Sequence, residues 1–189
     1  MRKGANWLIG ATATRAERAL IIGSGSVGAA LVWLALIRPE SGGWSWWQQA
    51  VAVLVAADLI GGAVSNAANS TKAQYQEPSP AEANTLTRLA FSTVVFAALH
   101  VYPFLVPLLY PGGSWIWAAC WYFGMLASVI VLDRGVPLYL QRPWAMAFFG
   151  LAVMAALVWP GPPGWQWLPY LYVAKLVLGH AVHEQAFRP

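Results

Sequence analysis

Apolar residues fall into six long runs that are separated by short polar or Gly- and Pro-rich stretches. The runs cover about residues 19–37, 47–66, 86–109, 114–132, 143–159 and 165–182. Because about 20 apolar residues cross the hydrocarbon core of a bilayer, each run predicts a transmembrane helix. We predict an all-α integral membrane protein: one domain over residues 1–189, built as three helical hairpins. Since the fifth run is short and the sixth contains Lys175, five spans is the competing interpretation.

The overall composition supports this class. Hydrophobic residues make up 59% of the chain and charged residues 10%, which lies outside the range of soluble proteins. Cys120 is the single cysteine, so the chain has neither an intramolecular disulfide nor a multi-cysteine metal site. The net charge of +4 reflects basic residues at span ends, and no basic stripe suggests a nucleic-acid partner.

The positions of the basic residues predict an orientation, because Lys and Arg near span ends stay on the cytoplasmic side. Arg38 is on the opposite side and Lys175 is inside a span. The other nine of the 11 share one side: Arg2, Lys3, Arg15, Arg18, Lys72, Arg88, Arg134, Arg142 and Arg188. We therefore predict cytoplasmic N- and C-termini and a multi-pass protein of the cell inner or plasma membrane.

The connections between the runs are of two kinds, short Gly-rich connections and one long polar connection. Each of the three outward connections is Gly-rich and leads into a Trp-x-Trp pair, at 44–46, 115–117 and 165–167. Because indoles favour the headgroup layer, these pairs predict an aromatic belt. The cytoplasmic connection 67–84 is long, and its Ser79–Glu82 segment has capping-box spacing. It is either a lid over a cavity or, as we favour, a solvated extension of the third helix.

Small residues in the first span, Gly23 to Gly28, predict close packing against another helix. Three ionisable residues lie within otherwise apolar spans: Asp58, His100 and Lys175. Such residues are costly in a bilayer and commonly mark a functional site. At 1.5 Å per residue, Asp58 and Lys175 lie at similar depths, on the order of 10–12 Å from the cytoplasmic ends of their helices. The two side chains can therefore meet.

Polar residues form a stripe on each of the helices that carry this pair. At 100° per residue, the second span aligns Asp58, Gly62, Ser65, Asn66 and Asn69, and the sixth aligns Tyr172, Lys175, Gly179 and His183. One interpretation is an ion pair that only fixes the two helices. The other is an inward-opening polar pocket with Asp58, His100 and Lys175 as catalytic residues. Its substrate would be held by Ser65, Asn66, Asn69 and Tyr172.

Two further features concern the site's chemistry. Pro103 and Pro107 remove backbone donors, so the third helix should bend beside His100. His180, His183 and Glu184 are candidate metal ligands near the C-terminus, but their spacing is weak evidence. Asp133 is interpreted as a solvated charge. We predict no metal site, and no motif indicates a cofactor.

The leading functional hypothesis is a membrane-embedded enzyme or binding protein for a lipid-soluble small molecule, such as an isoprenoid-like compound. Asp58 would act as acid or base and His100 as a second proton carrier. One alternative is a proton-coupled transporter. The other is an accessory subunit that meets a copy of itself or a partner membrane protein through small-residue faces. Whether the chain is an enzyme stays open at this point.

Overall fold

The computed structural model describes residues 9, 10, 12–76 and 92–184, and the regular elements in these ranges are all helical. In chain order they are α1 (Arg15–Glu40), α2 (Trp46–Ala67), α3 (Asn69–Gln76), α4 (Thr93–Ala98), α5 (Tyr102–Leu109), α6 (Trp115–Gly135), α7 (Leu138–Val158) and α8 (168–181). Four of these helices, α1, α2, α6 and α7, are long and apolar enough to cross a membrane. They correspond to the predicted first, second, fourth and fifth spans.

The predicted third span is interrupted where the prolines predict a bend. In the described part of this run, α4 ends at Ala98 and α5 begins at Tyr102. His100 lies in the break between them. The bend beside His100 is therefore confirmed, and its cause is the missing N–H of Pro103, whereas Pro107 lies inside α5. The start of the predicted span, at 86–91, lies outside the described residues.

The helix that carries Lys175 is shorter than predicted and lies inside the bundle. α8 covers residues 168–181 rather than 165–182, and its second half, Ala174–Ala181, is π-helical. Fourteen residues of α-helix rise only about 21 Å, less than the ~30 Å hydrocarbon core. Most of its side chains are buried, and it packs against α2, α4, α6 and α7. α8 is thus the central helix.

Three connections, 41–45, 110–114 and 159–167, meet at one end of the bundle, here called the turn end. Each contains a glycine with positive φ, at Gly43, Gly112 and Gly164, which allows a tight turn. Rings from the three connections pack together: Tyr110 has its ring centroid 4.5 Å from that of Trp44 and 4.8 Å from that of Trp165. The turn end is therefore an aromatic core.

The predicted aromatic belt is correct for only part of the Trp-x-Trp pairs. Trp46 and Trp115 are exposed by 81% and 57%, as expected for interfacial indoles. The other members are buried: Trp44, Trp117, Trp165 and Trp167. Short turns bring the helix ends together, so these indoles fill the space between the helices rather than the headgroup layer.

The opposite end, here called the basic end, is covered by α3. Ser70, Thr71 and Lys72 are buried, and the Ser70 N–H donates to the Glu17 carboxylate at the start of α1 (3.0 Å). The Lys72 ammonium donates to the carbonyl oxygens of Gly179 (2.8 Å) and Val182 at the end of α8. The interpretation as a solvated extension is therefore wrong for 69–76, because the end of α8 offers carbonyls that need donors. The predicted capping box lies outside the described residues, as do Arg2, Lys3, Arg88 and Arg188.

The predicted close packing of the first span occurs where α1 crosses α2. A Cβ atom on Gly61 would lie 3.2 Å from the carbonyl oxygen of Ile21 and 3.4 Å from Cα of Gly25. Glycine on both sides lets the backbones approach, as in other membrane helix pairs. Gly23, by contrast, has no atom of another residue near its Cβ position.

We predict that Gly61→Val lowers the melting temperature of the protein in detergent, as measured by circular dichroism. The added methyl groups must separate α1 from α2, and overpacking of this kind typically costs about 1–3 kcal/mol. Gly150→Val is the matched control, because Gly150 is helical and its Cβ position faces open space. Equal melting temperatures for the two variants would contradict the close crossing.

Candidate functional site

Asp58 is the meeting point of three helices. Its Oδ2 accepts a hydrogen bond from the Lys175 ammonium (2.5 Å) and another from the Tyr102 hydroxyl (2.7 Å). The Lys175 side chain is only 4% exposed, whereas that of Asp58 is 31% exposed. The predicted meeting of Asp58 and Lys175 is confirmed, with the lysine sealed inside the bundle and the carboxylate at its surface.

The surrounding residues explain how a lysine fits there. A Cβ atom on Gly62 would lie 2.5 Å from Cε of Lys175, so the glycine leaves room for the end of the lysine side chain beside α2. The Lys175 ammonium also lies 5.9 Å from the centroid of the Tyr102 ring, where the ring's negative face attracts a cation. The backbone carbonyl of Lys175 accepts a hydrogen bond from the side-chain amide of Asn66 (3.3 Å).

The helix break brings His100 and Tyr172 into the same region. The Tyr172 hydroxyl donates to the His100 carbonyl (2.6 Å), and the Tyr122 hydroxyl donates to the Ala98 carbonyl (2.8 Å). His100 Nδ1 lies 2.7 Å from the Phe96 carbonyl, and since that oxygen can only accept, Nδ1 carries the hydrogen. These donors satisfy carbonyls that a regular helix would have paired. The His100 ring contacts the Tyr102 ring edge-on, at 5.6 Å between centroids.

The predicted substrate-binding residues of α2 have different surroundings. Ser65 and Asn66 are buried, and the Ser65 hydroxyl lies 3.3 Å from that of Thr71 on α3. Asn69 is exposed, but it belongs to α3 because α2 ends at Ala67. Tyr172 is buried, and its hydroxyl donates to the His100 carbonyl. The polar stripe from Asp58 towards the basic end is therefore filled by contacts with α3 and α8.

The exposed side of Asp58 belongs to a lateral, largely apolar surface. Leu54 is one turn away on the same face of α2 and is 68% exposed. Val101, in the helix break beside Tyr102, is 46% exposed. We call the surface formed by Leu54, Asp58, Val101 and Tyr102 the lateral notch. Because Asp58 lies in the interior of α2 (Trp46–Ala67), this surface is on the side of the bundle rather than at either end.

The candidate metal ligands are not brought together. The His180 ring stacks on Phe96 at 4.0 Å between centroids. His183 lies beyond the end of α8, with Nε2 3.0 Å from the Asp133 carboxylate, and Glu184 pairs with Arg142 (2.9 Å). Across the described ranges, no group of three His, Cys, Asp or Glu side chains is placed to hold a metal ion. Asp133 is also more than the solvated charge expected, because it is the partner of His183.

Several residues of this network are not predicted by the sequence pattern. Tyr102 donates to Asp58. The sequence feature that could have indicated this contact is a tyrosine hydroxyl within an apolar run, next to Pro103. Gln141 is buried, donates to the Leu132 carbonyl (3.0 Å) and accepts from the His183 backbone N–H (2.7 Å). Lys72 is buried as well, and burial lowers its pKa to about 8. No local pattern marked Gln141 or Lys72 as buried, since both are polar residues outside the predicted spans.

Fold and site together define an all-helical protein with four helices long and apolar enough to span a membrane, in which an ion pair joins α2 to the central helix. No protein-family model matches the chain, and neither a curated protein nor a solved structure matches it.

We predict that Asp58→Asn lowers the free energy of unfolding by about 3–5 kcal/mol, because it leaves the Lys175 ammonium buried without its counter-charge. The double variant Asp58→Leu, Lys175→Met should lose less, since no unpaired charge remains. Denaturant unfolding in mixed micelles measures both. Arg142→Gln is the control, because the Arg142 side chain is 72% exposed in its pair with Glu184 and exposed ion pairs contribute little to stability. An Asp58→Asn variant as stable as wild type would contradict the prediction.

We also predict that the free energy of unfolding rises with pH between about 8 and 10.5. Lys72 has its pKa lowered to about 8 by burial, from an ordinary value of 10.5. In that window the unfolded chain binds more protons than the folded one, so the slope of stability against pH is positive. Lys72→Met removes this titration and should have a smaller slope in the same unfolding assay. Identical slopes for the two proteins would contradict a buried Lys72.

Proposed function

We propose that this chain is a membrane-embedded protein that binds a lipid-soluble small molecule through Asp58, with access from the side at the lateral notch. The observation that carries the proposal is the state of the Asp58 carboxylate. Within the described residues, its Oδ2 accepts both protein hydrogen bonds and its Oδ1 accepts none, while the side chain remains 31% exposed. One oxygen is therefore available to a donor outside the protein.

The position of Asp58 along α2 indicates that its exposed side faces lipid rather than water. Along α2 the residue is about 18 Å from Trp46 and about 13 Å from Ala67 at 1.5 Å per residue. In a bilayer this position is near the middle of the hydrocarbon core, where a partly unsatisfied carboxylate is costly. A ligand with one hydroxyl or amine donor would relieve that cost, and its apolar body would lie against Leu54 and Val101. An isoprenoid-like alcohol has this chemistry.

The proposal includes the topology. We propose six membrane-embedded segments in three hairpins, with the basic end and both termini on the cytoplasmic side of the inner or plasma membrane. The gathering of connections 41–45, 110–114 and 159–167 at the turn end supports this arrangement. The distribution of cations supports it as well. Arg38 is at the turn end, and the other five described cations outside α8 lie at the basic end: Arg15, Arg18, Lys72, Arg134 and Arg142.

Two alternatives are less well supported. A transporter needs a polar route through both halves of the bundle, and the aromatic core of Trp44, Tyr110 and Trp165 occupies the turn end. An accessory subunit would use small-residue faces between chains, whereas Gly25 and Gly61 face each other within this one. Binding is therefore the primary proposal. We also propose that Asp58 exchanges a proton with the donor of a bound ligand.

Carbodiimide labelling in proteoliposomes tests the access route. A protonated carboxyl group adds to a carbodiimide to form an O-acylisourea, which rearranges to an N-acylurea or is attacked by a nearby neutral amine to form an amide with release of the corresponding urea. We expect lipid-soluble dicyclohexylcarbodiimide to modify Asp58, as an adduct or as an amide with Lys175. A water-soluble carbodiimide should modify Asp133 instead, which is 24% exposed at the basic end. Peptide mass spectrometry identifies the products.

A substitution in the lateral notch makes the test specific. Leu54→Trp should reduce labelling of Asp58 several-fold, because the indole covers the carboxylate from the lipid side. Leu151→Trp is the matched control, since Leu151 is 67% exposed on α7. Modification of Asp58 by the water-soluble reagent alone would place access at an aqueous end and overturn the proposal. A carboxylate inert to both reagents would leave only a structural ion pair.

A further inference from the structure

A second lipid-facing feature lies between α1 and α2. It is a groove of about 550 Å³, a volume within the range of ligand sites. Its walls are small residues in the middle of the helices and aromatic residues near the turn end. The residues that line it are Ser26, Ala29, Ala30, Trp33, Trp46, Gln49, Ala50, Val53 and Ala57. None of these residues belongs to the lateral notch.

The length of the groove corresponds to one leaflet of a bilayer. From Trp46 to Ala57 the rise along α2 is about 16 Å, close to half of the ~30 Å hydrocarbon core. On α1 the groove ends at Ser26, next to Gly25, where the two backbones are in contact. The groove is therefore open from the turn end to the middle of the bundle and closed beyond it.

A cation lies at the turn end of the groove. The Arg38 guanidinium carbon is 5.8 Å from the centroid of the Trp33 ring, and Trp33 lines the groove. Within the described ranges, Arg38 forms no ion pair with a carboxylate. The Trp33 indole N–H is held by the Gln49 side-chain oxygen (3.3 Å), so the aromatic wall beneath the cation has a fixed position.

We propose that this groove binds an anionic phospholipid of the leaflet at the turn end. One acyl chain lies along Ala29, Ala30 and Ala50, and the phosphate is held by Arg38. A guanidinium favours phosphate because it donates two parallel hydrogen bonds. On the orientation proposed above, this is the outer leaflet. The site itself depends neither on that orientation nor on ligand binding at Asp58.

A lipid fits this groove better than a helix from another chain. The groove covers only the half of α1 and α2 nearest the turn end, which is the length of an acyl chain in one leaflet. A partner helix would also have to accommodate an exposed arginine at the membrane interface. An acyl chain with a charged headgroup matches both the length and the charge.

Native mass spectrometry of detergent-solubilised protein with added phosphatidylglycerol or phosphatidylcholine tests the site. The wild-type protein should retain phosphatidylglycerol in preference to phosphatidylcholine. Arg38→Gln should weaken its binding about fivefold, the effect of one basic residue at a membrane surface. Arg134→Gln, which removes an exposed arginine at the basic end, is the matched control and should bind as wild type does.

Filling the groove tests the acyl-chain position separately. Ala30→Phe and Ala50→Phe should each reduce retention of both lipids, with folding checked by circular dichroism. Ala155→Phe places the same side chain on the exposed face of α7 and should have no effect. Lipid retention unchanged by Arg38→Gln and by both filling substitutions would overturn the proposal. So would a wild-type dimer that these substitutions convert to a monomer, because the occupant would then be a second copy of the chain.

Discussion

The structure depends on a lysine ammonium that is paired with a carboxylate inside an apolar bundle. Lys175 can be sealed at 4% exposure only if an anion reaches it, because an uncompensated charge in a low-dielectric interior is strongly destabilising. Gly62 leaves the side chain room to pass α2, and Tyr102 adds a second donor to Asp58. The helix break at His100 is what places Tyr102 there. These features of three helices therefore serve one electrostatic requirement.

The second constraint is the short central helix. α8 packs against three longer helices, α2, α6 and α7, so the groups at its ends are satisfied by protein rather than by water. At the basic end, Lys72 donates to the last carbonyls of α8 and Gln141 holds the backbone just beyond it. At the turn end, the helix begins in the aromatic core around Trp165. Each end of α8 is thus held by side chains of neighbouring elements, and the Lys72 contacts fix α3 against the bundle.

The two proposed sites place function on the lipid-facing surface. The lateral notch offers one carboxylate oxygen near the middle of the hydrocarbon core, and the groove offers an apolar path to a cation at the interface. Both use the same physical contrast, a polar group reached through apolar surroundings, where hydrogen bonds and charges are strong. α2 contributes to both sites, and its close contact with α1 at Gly25 and Gly61 closes the inner end of the groove.

The sequence alone determined the apolar runs, four of which are long helices, the similar depth of Asp58 and Lys175, and the break beside His100. These features follow from local composition, helical rise and proline chemistry. Only the tertiary structure decided that α3 closes the basic end, that Tyr102 joins the ion pair and that His180 and His183 point to different partners. The reason is that burial of polar side chains such as Lys72 and Gln141 depends on carbonyls from helices distant in sequence, which no local pattern encodes.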